Sequence, residues 1–150
     1  MKRNVLEVVT RAPAPPVQAR PLRETLPPEI LAPLLAGARA RGIADAYEMM
    51  GVGAVLLGHS GRVLHASERA SRLLQDVASI VSEHLVGAAA ETNAQIESLI
   101  GRWLAGEGEA ATVLQSAVSG RRISLRVVDV PEVQGESVQL LKAVIGVQEA

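Results

Sequence analysis

Cysteine and phenylalanine are both absent from this 150-residue chain, and Tyr47 and Trp103 are its only tyrosine and tryptophan. Without a thiol there is no disulfide framework, no thiolate nucleophile and no cysteine-bound chromophore. Without phenylalanine the core has to be aliphatic. No apolar run approaches the roughly 18 residues that a membrane span needs. The basic start, Lys2 and Arg3, is followed by only a short apolar patch before Glu7, which makes no export leader. Neither sign of charge dominates: the formal net charge is −1, with arginines and lysines scattered along the chain. That pattern carries no basic footprint for nucleic acid or an anionic membrane. The expectation is a soluble, cytoplasmic protein.

Catalytic signatures are missing too. The glycines of GVG and GHSG lack the spacing and following helix of a phosphate loop. No nucleophile, acid or base pair stands at a recognisable spacing, so no enzyme is expected. His59, His65 and His84 are the only imidazoles. In a two-residue turn at Ser60-Gly61, His65 would face Leu56 and His59 would face Arg62, so the first two do not converge on a metal or haem. His65 is the one placed on a hairpin expected to be buried.

What the chain does have is apolar residues, 48% of the total, enough for one core in a domain of this length. Residues 1–28 are interrupted by Pro13, Pro15, Pro16, Pro21, Pro27 and Pro28, which oppose both helix and sheet; they read as a flexible arm. Over 29–41, Ile30, Leu31, Leu34, Leu35 and Ala38 recur at helical spacing. Pro33 suits a first turn and moves the start towards Ala32. Gly42 is expected to break this helix from a second piece at 43–50, which Gly51 caps. An amphipathic helix ahead of a domain packs either on its own sheet or on a second copy, and dimerisation is the favoured use of 29–50.

Residues 51–74 organise the rest of the chain. The run 52–58 is too continuous for a half-exposed strand and too short for a helix, which predicts a buried strand. Ser60-Gly61 supplies a turn, 62–66 returns as a second strand, and Ser67 caps a short helix with Ala70, Leu73, Leu74 and Val77 on one face. Residues 78–90 read as irregular or short helical. Thr92-Asn93-Ala94-Gln95 has the form of a capping box before the stripe of Ile96, Leu99, Ile100, Trp103 and Leu104. Three strands close the chain, at 111–118, 122–130 and 138–147. In the second, Ile123, Leu125 and Val127 alternate with Ser124, Arg126 and Val128; the third is apolar enough to be central.

The segment GAVLLGHSGRVLHASERASRLL, a strand, turn, strand and capped helix, resembles the opening of a PAS domain. The match extends over about 51–148 and comes nearest to the PAS-like sensory segment of LuxR-type bacterial transcriptional regulators, in which a helix like HLVGAAAETNAQIESLIGRWLAG is also familiar. His59 and Ser60 stand where the family often has Asp, and Ser67 where Asn is common; both exchanges keep turn and cap chemistry. The resemblance implies an α+β fold: a PAS-like five-stranded antiparallel sheet with helices on one face, preceded by the N-terminal amphipathic helix. It divides the chain into the arm 1–28, a dimerisation and signalling segment 29–50, and the PAS-like domain 51–150.

On this reading the chain is a non-enzymatic sensor or interaction module in bacterial signal transduction or transcription regulation. Its partners are a second copy, through Ile30, Leu31, Leu34, Leu35 and Ala38, and a signalling protein or output domain. No recognition helix follows the last strand, so a stand-alone sensor or part of a longer protein is expected. Val55, Leu57, Leu64, His65, Leu73, Leu85, Ile100, Leu125 and Ile145 would line an apolar pocket, or simply fill a core. No cofactor is expected, since a LOV-type flavin adduct requires a cysteine. The alternative is a roadblock-type scaffold, whose opening helix, hairpin and helix are similar but which normally closes on a C-terminal helix.

Overall fold

Five consecutive residues, Gly53–Leu57, form β1, and every one of them is buried. A strand with no exposed position needs cover on both faces, and the structure, a computed structural model, supplies it. The structure describes residues 28–131 and 140–150, with side chains from residue 37 onward. Residues 1–27 of the expected arm, whose last residue, Pro28, belongs to the first helix, and residues 132–139 lie outside the described residues. So do the side chains of Ile30, Leu31, Leu34 and Leu35.

The chain is α+β. Helix α1 (Pro28–Met49) leads into β1, and a 3₁₀ turn (His59–Gly61) connects β1 to β2 (Val63–Ala66). Then come α2 (Glu68–Leu74), β3 (Ala78–Val81), β4 (His84–Gly87) and α3 (Ala90–Leu104). Strands β5 (Glu109–Gln115), β6 (Arg122–Asp129) and β7 (Ala143–Glu149) complete the order. The five-stranded sheet runs β2-β1-β7-β6-β5 with every neighbouring pair antiparallel, while β3 and β4 pair only with each other. The final strand is therefore central, between β1 and β6, as its near-continuous apolar sequence predicts.

Alternation divides the side chains between two cores. Val55 and Leu57 of β1, Ile123, Leu125 and Val127 of β6 and Ile145 and Val147 of β7 point to one face. There they meet Ala70 and Leu74 of α2, Leu85 of β4, and Ile96, Leu99 and Trp103 of α3. Burying each of these larger side chains contributes about 1.5–3 kcal/mol, so this face supplies most of the stabilisation. On the other face Ala54, Leu56, Leu141 and Val144 form a smaller cluster against Ala40, Ile43 and Tyr47 of α1. Gly146 makes that second contact close. A Cβ there would lie 3.2 Å from the Tyr47 ring, so the absence of a side chain lets α1 lie down on the sheet.

Five local features depart from the sequence expectation. Helix α1 begins at Pro28 rather than near Ala32, so Pro33 lies beyond its first turn. Gly42 does not break α1, which is continuous from Pro28 to Met49. An interior glycine costs about 1 kcal/mol, and the apolar face that spans it, Ala40 and Ile43 through Tyr47, is held by the sheet. The helix stops at Gly51 instead. There φ is +76°, the Val52 N–H bonds the Tyr47 carbonyl at 2.9 Å, and the Gly51 N–H bonds that of Glu48 at 3.0 Å. This is a Schellman cap.

Residues 78–87, expected to be irregular or helical, form the β3–β4 hairpin, turning at Ser82 and Glu83 with φ of +50° and +65°. Two left-handed residues in succession give the primed turn that matches strand twist, here without the glycine or asparagine that usually announces it. Helix α3 starts at Ala90, before the expected capping box. Thr92 still helps to cap it, its hydroxyl accepting from the Ala89 N–H at 2.9 Å. The β1–β2 pairing also shifts between Leu56 and Leu57: Leu57 faces Val63, whereas Leu56 faces His65. A bulge of this kind leaves one residue, Leu64, unpaired.

Candidate functional site

The nine residues expected to line an interior pocket separate into two groups. Val55, Leu57, Leu85, Leu125 and Ile145 are buried in the main core, with Leu73 and Ile100 packed partly buried against it. They meet each other and fill the space between sheet and helices. Leu64 and His65 are corrected: both are exposed, Leu64 by 43%. The bulge is the reason. Val63 takes the inward position opposite Leu57, and His65 sits opposite Leu56 on the face that α1 covers only in part.

The imidazoles do not gather. His59 lies in the 3₁₀ turn, His65 on β2, and His84 opens β4 with its Nδ1 2.9 Å from the Ser82 carbonyl; all three are exposed. Among the described residues no cluster of three or more His, Asp or Glu side chains is arranged to hold a metal ion. No helix among them is long and apolar enough to cross a membrane. Ala38, of the helical residues assigned to dimerisation, is exposed.

A concave site does form, at the end of the sheet where β1 leaves it. Its volume is about 440 Å³, and it is lined by His59 and Ser60, by Trp103 and Leu104, by Asp129, Val130 and Pro131, and by Lys142. Four separated segments build it. The 3₁₀ turn forms one wall and is held shut by backbone bonds from Gly61 N–H to the Gly58 carbonyl and from Arg62 N–H to the His59 carbonyl, each 3.2 Å. The last turn of α3 forms the floor, and the outgoing end of β6 and the residue before β7 form the opposite wall. Those last two are joined by the Val130 N–H on the Lys142 carbonyl, 2.9 Å, and the Lys142 N–H on the Leu57 carbonyl, 2.8 Å, ties this wall to the end of β1.

Two features give this cleft chemical character. The indole N–H of Trp103 donates to the carboxylate of Asp129, which fixes the ring. Ser60 adopts φ +61°, ψ +20°, a left-handed conformation that costs a residue with a Cβ about 1–2 kcal/mol. The local pattern places His59 and Ser60 in a turn and Trp103 on the apolar stripe of a helix, and the structure has them there. Their convergence with Asp129 and Lys142 leaves no periodic signal, because the partners are tens of residues apart.

Elsewhere, burial between α1 and the sheet raises the pKa of the Tyr47 phenol by desolvating its charged form. Arg69 of α2 bonds Glu48 of α1 at 3.1 Å, a largely exposed pair that ties the two helices across the edge of the sheet. Comparison with protein-family models gives no match for this chain, and comparison with curated proteins gives none.

Proposed function

We propose that this chain is a PAS-like sensory and protein-interaction module, acting without chemistry of its own, that dimerises and passes a signal to a partner protein or output domain. The observation that carries this reading is the placement of everything between β2 and β5. The helices α2 and α3 and the β3–β4 hairpin are all inserted after the second strand and laid over one face of a five-stranded antiparallel sheet. The sheet with helices on one face is what the sequence resemblance implies; the β3–β4 hairpin is an addition to it. Because the expected pocket residues fill the core, the reading favours recognition of a protein over storage of a metabolite between sheet and helices.

Helix α1 is the element suited to transmit the signal. Among the described side chains Ala40, Ile43 and Tyr47 pack against the sheet and Ala44 is buried, whereas Ala38 is exposed. The face through Ile30, Leu31, Leu34, Leu35 and Ala38 is assigned to a second copy. The test is light scattering of the full chain and of a Leu34→Glu, Leu35→Glu variant. The wild-type protein is expected at the dimer mass and the variant at the monomer mass, with the circular dichroism of the sheet retained. A monomeric wild type, or an unchanged mass in the variant, overturns the reading.

A further inference from the structure

We propose that the cleft at the end of the sheet is a binding site for a small carboxylate with an apolar body. This inference stands apart from the PAS-like reading, and failure of either leaves the other intact. The size is suitable: about 440 Å³ lies toward the small end of the roughly 300–1,000 Å³ of ligand sites. The lining is also divided in the way such a ligand requires. Trp103, Leu104, Val130 and Pro131 offer apolar surface, while His59, Ser60 and Lys142 offer donors. None of those three side chains has a partner among the described residues.

The charges decide the sign of the ligand. Asp129 is the one acid in the lining, and one oxygen of its exposed carboxylate accepts from the Trp103 indole N–H, which ties the acid to the α3 side of the cleft. Lys142, by contrast, brings an ammonium with no ion pair among the described residues. A ligand carboxylate placed towards Lys142, His59 and the Ser60 hydroxyl gains charge-assisted hydrogen bonds there, with its body against Leu104, Val130, Pro131 and the exposed edge of the indole. The left-handed Ser60 supports this reading. Glycine would meet the backbone requirement more cheaply, so the serine keeps a hydroxyl at the cleft at a conformational cost.

Trp103 is the only tryptophan in the chain and lines this cleft, so its fluorescence and its single indole N–H resonance serve as the binding signal. The probes are benzoate and hexanoate, each paired with its neutral amide. The expected result is a saturable shift of the Trp103 signals by at least one carboxylate, with the amides binding about tenfold or more weakly, and affinity falling about tenfold in Lys142→Gln. His59→Gln, a second variant on the exposed turn, should also weaken binding. An equal response to acid and amide, affinity unchanged in both variants, or no saturable response to either acid overturns the proposal.

Discussion

The indole N–H of Trp103, in the last turn of α3, donates to the carboxylate of Asp129, the final residue of β6. Trp103 is only 9% exposed, so its nitrogen depends on a protein acceptor. An unpaired buried donor costs about 1–3 kcal/mol. Asp129→Ala should therefore destabilise the protein by about that amount in urea unfolding. Asp129→Asn, which keeps a carbonyl acceptor, should recover most of the loss. Equal destabilisation by both variants would show that the charge matters rather than the hydrogen bond.

Ser67 ties a helix to a strand through one oxygen. Its hydroxyl accepts from the Ala70 N–H at 3.2 Å, capping α2, and from the Ala54 N–H of β1 at 3.0 Å. An ordinary cap is worth about 1 kcal/mol. Because the second donor is left unpaired as well, Ser67→Ala should cost about 2 kcal/mol, measured as a lower urea midpoint with an unchanged slope. A loss of only a few tenths would mean that water replaces the hydroxyl.

Glu83 offers a stabilising change. It holds φ +65° in the β3–β4 turn, and its side chain pairs with Arg62 at 2.9 Å on the surface. The left-handed backbone costs about 1–2 kcal/mol, while an exposed ion pair is worth about 0–1 kcal/mol. The backbone should win. Glu83→Gly is expected to raise the thermal midpoint by a few degrees, and a fall would show that the ion pair outweighs the backbone strain.

Tyr47 gives a pH dependence with a definite sign. Its phenol is raised above 10.0 by desolvation, so the folded state holds its proton at a pH where the unfolded chain releases it. Stability from this group is intact below pH 10 and falls as pH rises from there through the folded value. Denaturant titrations across about pH 9–11 should show a steeper alkaline loss in the wild type than in Tyr47→Phe. Parallel curves would place the phenol in water.

Much of the fold is readable from short windows of sequence. Ser67 in front of an apolar helical stripe, the alternation of Ile123, Leu125 and Val127, and the uninterrupted β1 each carry their own structural instruction, and each takes the expected form. The β3–β4 hairpin is not readable in this way. Ser82 and Glu83 adopt left-handed conformations that neither residue favours, and they are held there by pairing of Val81 with His84 and by the Val63 N–H on the Glu83 carbonyl at 2.7 Å. The Leu64 bulge is likewise settled by competition: only one of Val63 and Leu64 can face the core opposite Leu57, and the register gives that place to Val63.

By itself the sequence determined an aliphatic α+β domain without thiol chemistry and located most of its strands and helices, because periodicity, caps and turn residues act within a few residues of each other. Only the tertiary structure decided that α1 runs unbroken across Gly42 onto the second face of the sheet, where Gly146 admits the Tyr47 ring. It also assembled His59, Ser60, Trp103, Asp129 and Lys142 around one cleft. The physical reason is the same in both cases. Burial and long-range hydrogen bonds outweigh local preferences of about 1 kcal/mol, and they act between residues that no local pattern connects.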